Sequence, residues 1–83
     1  MASSTDTAVA HIVESFDALD DISDPIERYQ ASRQAGAAVD GRLRSVRQRI
    51  ALELKTEGKT WREIGQIMDG VTAQRAEQIS RGR

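Results

Sequence analysis

Apolar side chains recur along this chain every three or four positions and nowhere alternate with polar ones as half-buried strands require. Val9, Ile12, Val13, Phe16 and Leu19 open the pattern. They fall on one helical stripe, with Glu14, Asp17 and Asp21 on the opposite side. An amphipathic helix of about 15 residues from Thr5 onward is predicted.

Asp24-Pro25-Ile26-Glu27 marks a second helix start: Asp24 suits the cap, Pro25 the first helical position, and Glu27 the reciprocal position of a capping box. Ile26, Tyr29 and Ala31 to Arg33 continue it. Gly36 and Gly41 then lie in an Ala-rich stretch around Val39, where each glycine costs about 1 kcal/mol against alanine in a helix, so a break or bend is expected between them.

Leu43, Val46, Ile50 and Leu54 resume the helical spacing among Arg42, Arg44, Arg47 and Arg49, and Gly58 is placed to end that helix as its C′ residue. Thr60-Trp61-Arg62-Glu63 is a second capping box. It opens a short helix with Trp61, Ile64, Ile67 and Met68 on its apolar face. Asp69-Gly70-Val71 breaks that helix in a turn favouring a left-handed residue. Thr72 caps the last helix, where Ala76 and Ile79 point inward and Ala73, Gln74, Arg75, Glu77, Gln78 and Arg81 face solvent. The expected fold is all-α: a small bundle of four to five helices ending in a helix-turn-helix.

Composition narrows the classes. The chain has 83 residues, and 39% belong to the apolar set. One Phe, one Tyr and one Trp are its whole aromatic complement. Such a chain makes a single module, below the roughly 100 residues that give a comfortable core, and its stability is marginal unless the helices are well formed or chains pair. With no Cys there is no disulfide framework, thiolate metal site or Cys nucleophile, which fits a reducing cytoplasm. Apolar runs are short and the opening MASSTDT carries no Lys or Arg, so neither a membrane span nor a signal peptide is expected.

A net charge of −1 conceals a strong asymmetry. Residues 1–30 hold seven acids against Arg28, net −6, and residues 31–83 hold eleven bases against six acids, net +5. This divides the chain into an acidic N-terminal arm, residues 1–23, and a helical domain, residues 24–83, with a helix-turn-helix at 59–81. A basic C-terminal region attracts a phosphate backbone, whereas an acidic arm repels DNA, pairs with the basic half or faces another protein.

Catalysis and cofactors are not expected. His11 is the lone histidine and has no partner for a metal pair. The Gly36–Arg42 stretch has the glycine spacing of a phosphate loop but lacks its Lys and Ser/Thr and any preceding strand. Ser, His and Asp all occur, yet so small a core offers no pocket to hold a nucleophile against its base.

The run TWREIGQIMDGVTAQRAEQI resembles the helix-turn-helix of region 4 of bacterial sigma-70 factors, matching at Thr60, Glu63, Ile64, Gly65, Val71, Thr72, Arg75, Gln78 and Ile79. It is also similar to small actinobacterial DNA-binding proteins of the same type, through Arg47, Gln48, Leu52, Glu53 and Leu54. The likeness covers residues 43–83 and extends more weakly over 24–42. It departs from the family at an extra turn residue among Asp69, Gly70 and Val71, at Glu77 where a basic residue is common, and at Ala73 where Arg is usual.

The resemblance implies a sequence-specific transcriptional regulator that lays the helix 72–81 in the major groove of double-stranded DNA. Base contacts would come from Ala73, Gln74, Arg75, Glu77 and Gln78. Lys59, Thr60, Arg62, Thr72 and Arg81 would contact phosphates and position the domain. Gly65 would allow close helix approach, Val71 would plug the turn, and Ile64 and Ile79 would share a core with Ile50 and Leu54. A homodimer through the N-terminal helix is the economical arrangement for so small a reader, in a nucleoid-associated, cytoplasmic setting. The competing reading is a protein-interaction module that binds RNA polymerase or another regulator through Asp17, Asp20, Asp21 and Asp24.

Overall fold

A computed structural model describes residues 3–83; residues 1 and 2 of the acidic arm lie outside it. The architecture is all-α, with no strand among the described residues. Five helical segments follow one another: α1 (Ser4–Ser15), α2 (Asp17–Asp20), α3 (Pro25–Thr56), α4 (Trp61–Ile67) and α5 (Ala73–Ser80). The chain divides into two compact units, Met1–Ala37 and Ala38–Arg83.

In the N-terminal unit, the Ser3 hydroxyl caps α1 by accepting from the Asp6 amide at 3.1 Å. The expected single amphipathic helix is interrupted at Phe16, and α2 is one further turn in contact with α1. No residue of α1 is buried. Val9 stays 53% exposed and Val13 59%, and along the stripe only Leu19 is half-buried.

Asp24 starts α3 as expected, accepting from the amides of Ile26 and Glu27 at 3.5 and 3.3 Å. The turn before it is held from the other side. The Arg28 guanidinium donates to the carbonyls of Ile22 and Ser23 at 3.0 and 3.3 Å, giving the one base of the acidic segment a structural task.

The expected break between Gly36 and Gly41 does not occur. Helix α3 continues through both for 32 residues. Two glycine penalties of about 1 kcal/mol are small beside the helix they interrupt, because Ala35, Ala37 and Ala38 are the best helix formers and an interior break would release several backbone hydrogen bonds. The two helices expected on either side of the glycines are therefore one.

In the C-terminal unit, α3 ends at Gly58 in a Schellman motif. Lys59 N–H donates to Leu54 O at 3.2 Å, Gly58 N–H to Lys55 O at 3.0 Å, and Gly58 adopts φ +95°. The core is compact: Ala51, Ile64 and Ala76, one from each of the three helices, are fully buried. Leu54, Trp61, Met68, Val71 and Ile79 pack partly buried against them.

Two expected core members stand outside. Ile50 is 41% exposed and Ile67 55%. The reason is periodicity: Ala51 and Leu54, three residues apart, face α4 and α5, and Ile50 turns to the flank of that stripe. Ala51 takes the central place, fully buried against Ile64 of α4 and Ala76 of α5.

Candidate nucleic-acid interface

Helix α4 begins at Thr60 in a complete capping box. The Thr60 hydroxyl accepts from the Glu63 amide at 3.1 Å, and the Glu63 carboxylate accepts from the Thr60 amide at 3.1 Å and its hydroxyl at 3.0 Å. These bonds favour the charged carboxylate. The backbone bond from Thr60, then its side-chain bond, and lastly the nearby Lys59 charge hold Glu63 below the ordinary carboxylate range, against a small opposing effect of burial.

Between α4 and α5 the chain reverses through two consecutive left-handed residues, Asp69 at φ 64° and Gly70 at φ 77°. This double left-handed step makes the reversal tight. It carries the chain so that Val71 N–H donates to Gly65 O at 3.0 Å. Gly65 is buried, and a Cβ there would collide with the Val71 carbonyl oxygen and come within 3.2 Å of that of Thr72. Glycine at 65 is thus required by the turn that packs α4 against α5.

The Thr72 hydroxyl caps α5, accepting from the Arg75 amide at 3.1 Å. Ala76 and Ser80 form the buried stripe of this helix. Gln74, Gln78 and Arg81, spaced four and three apart, share the opposite face. Arg75 flanks that face and its guanidinium donates to the Gln78 side-chain oxygen at 3.4 Å. Ala73, three residues before Ala76, is exposed on the flank nearer the core and offers only a methyl group.

Glu77 and Arg81, expected at a base and a phosphate respectively, are engaged with each other in an i,i+4 ion pair of 2.6 Å. The Thr60 hydroxyl is likewise committed, donating and accepting within its cap. Of the other candidates at the helix starts, Arg62 is exposed and Lys59 half-buried, and the Thr72 hydroxyl keeps its hydrogen to donate.

Helix α5 ends as α3 does, with Gly82 at φ 81°, Arg83 N–H donating to Gln78 O at 3.1 Å and Gly82 N–H to Ile79 O at 3.0 Å. Gln48 of α3 ties this end down, donating its side-chain amide to Ser80 O at 3.2 Å. Sequence reasoning gives Gln48 no such task, since a bond across 32 positions leaves no local signature.

Sequence reasoning also misses a basic cluster. Arg44, Arg47, Arg75 and Arg83 line one groove of the C-terminal unit, whose apolar wall includes Ile50 and Ile67. Spacing hints at half of it, because Arg44 and Arg47 lie one turn apart on α3, whereas Arg83 lies past the end of α5, where helical spacing no longer applies.

Among the described residues no group of His, Cys, Asp and Glu is arranged to hold a metal ion, and no helix is long and apolar enough to cross a membrane. Compared with known proteins, the chain matches no family model, no curated protein and no solved structure.

Proposed function

We propose that this chain is a sequence-specific DNA-binding transcriptional regulator of the sigma-region-4 type, with α4 and α5 as its helix-turn-helix. One observation carries the reading. Helix α5 fully buries only Ala76 and Ser80 and leaves Gln74 and Arg75 exposed and Gln78 half-buried on a capped helix supported by α4. Those side chains suit base edges in the major groove, Arg for guanine and Gln for adenine, at about 1–3 kcal/mol of discrimination each. Ala73 adds a methyl contact suited to thymine. Lys59, Arg62 and Thr72, at the helix starts, serve the phosphates.

The pairing of Glu77 with Arg81 bears on strength. An arginine held by a carboxylate neutralises no phosphate until that pair opens, so the module alone binds DNA weakly and gains from a second copy on an inverted repeat. The setting implied is the nucleoid.

Fluorescence anisotropy on a randomised duplex pool tests this, at about 50 and about 200 mM salt, across which phosphate contacts make affinity fall steeply. Salt-sensitive binding that enriches a sequence, lost in Arg75→Ala, is the expected result. Folded protein that binds no duplex at the lower salt overturns it.

The uncovered stripe of α1 favours a second reading, an interaction module that engages RNA polymerase or another regulator through its acidic arm. In that case removal of residues 1–22 abolishes partner binding and Arg75→Ala leaves it intact.

A further inference from the structure

Two surfaces of this chain are each incomplete and complement one another. The first is the groove of the C-terminal unit, where Arg44, Arg47, Arg75 and Arg83 surround an apolar wall that includes Ile50 and Ile67. Asp40 and Asp69 also line it, leaving a positive excess of two charges. Ile67 is more than half exposed there, and Leu43 and Val46 nearby on α3 are also exposed. The fully buried apolar residues of this unit number three, Ala51, Ile64 and Ala76, while Leu43, Val46, Ile50 and Ile67 are left exposed.

The second surface is α1. Val9, Ile12, Val13 and Phe16 form one stripe, and all are exposed, between 39% and 59%. Asp17 borders that stripe, with Asp20 and Asp21 just beyond it along the chain and Glu14 on the far side of α1. What the basic groove selects for is an amphipathic segment with one apolar face and an acidic border, and this chain carries such a segment at its own N-terminus.

We propose that the groove is occupied by the α1–α2 arm of a second copy, each chain giving its arm to the other, so that the protein is an arm-exchanged dimer. Val9, Ile12, Val13 and Phe16 cover Ile50 and Ile67 across the interface. Asp17, Asp20 and Asp21 of the arm face Arg44, Arg47 and Arg83 of the groove, leaving Arg75 at its mouth, and this sets partner choice and encounter rate more than raw affinity. The net charges of −6 on residues 1–30 and +5 on residues 31–83 are the long-range form of the same complementarity. Docking is isologous, so it closes at two chains. This goes beyond the DNA reading and does not depend on it.

Sedimentation equilibrium of the full chain, with circular dichroism to confirm folding, provides the test. The wild type is expected to sediment as a dimer that dissociates on dilution. Ile12→Asp spoils the arm and Arg47→Glu spoils the groove, both at exposed positions, and each alone is expected to weaken dimerisation by at least about tenfold. The decisive sample is their equimolar mixture. The intact arm of the Arg47→Glu chain then meets the intact groove of the Ile12→Asp chain, and one of the two contacts is restored, giving a heterodimer tighter than either variant's homodimer. A wild type that stays monomeric at all concentrations overturns the proposal, including the case where the arm occupies its own chain's groove. So does a dimer weakened by Ile12→Asp but not by Arg47→Glu, or a mixture with no recovery, since arms that pair only with arms cannot complement in this way.

Discussion

Val71 donates its backbone N–H to the Gly65 carbonyl at 3.0 Å, and its own carbonyl oxygen lies over the bare Cα of Gly65. The two residues are thus locked in both directions: one bond needs the approach, and the approach admits no side chain. Gly65→Ala sets a methyl group against backbone that cannot rotate away. The expected loss is about 3 kcal/mol or more, the upper range for overpacking, read from the thermal midpoint of the C-terminal unit.

The opposite outcome is expected at Gly36 and Gly41. Both lie inside α3, and a Cβ at either would meet nothing within 4 Å. Gly36→Ala and Gly41→Ala should each stabilise by about 0.5–1 kcal/mol, mostly by reducing the freedom of the unfolded chain, as a rise in helical content and melting temperature would show.

At the interhelical turn the two left-handed residues differ in cost. Asp69 holds φ 64° with a side chain, whereas Gly70 holds φ 77° without one. Gly70→Ala should cost about 1–2 kcal/mol, and Asp69→Gly should be neutral or stabilising, as compared by urea denaturation.

The α4 cap carries a pH dependence. Hydrogen bonds from Thr60 hold Glu63 below its unfolded value, so the folded state binds this proton less readily than the unfolded one. The resulting stabilisation is fully present above the unfolded value of about 4.3 and is lost as pH falls through the folded one. Glu63→Gln should therefore flatten the acid limb of the stability profile and leave its slope at neutral pH unchanged. Thr60→Ala, which removes the hydroxyl acceptor, should cost about 1 kcal/mol.

On DNA, the 2.6 Å pair of Glu77 and Arg81 predicts that a loss of charge increases binding. Glu77→Gln releases Arg81 and removes an anion from the exposed face. Under the proposed function, affinity should rise and the salt dependence steepen by about one phosphate contact, without a change in the enriched sequence.

Short-range signals in the sequence translate directly into structure. The Thr60–Glu63 capping box, the Gly58 terminus, the left-handed turn at Asp69-Gly70 and the Thr72 cap all depend on residues within a few positions of each other, and all form as expected. The expectations fail where a distant partner decides. Ala51 rather than Ile50 centres the core because three helices converge there, and no spacing rule reports how closely helices approach. Gly36 and Gly41 suggest a break because propensity is local, whereas continuity belongs to the whole of α3. The candidate interface is legible as residues but not as bonds: that Glu77 engages Arg81, and that Thr60 is committed to its own cap, depend on which rotamers the helices allow.

Trp61, the one tryptophan of the chain, sits half-buried on the C-terminal core with the Lys55 ammonium 5.0 Å from its ring centre, and Tyr29, the one tyrosine, lies exposed in the N-terminal unit. The C-terminal unit therefore carries its own optical reporter, whereas the exposed phenol of Tyr29 changes its surroundings little on unfolding. Native fluorescence thus follows the C-terminal core without a label, and the ammonium over the indole makes that emission sensitive to the loss of a single contact between the end of α3 and the start of α4.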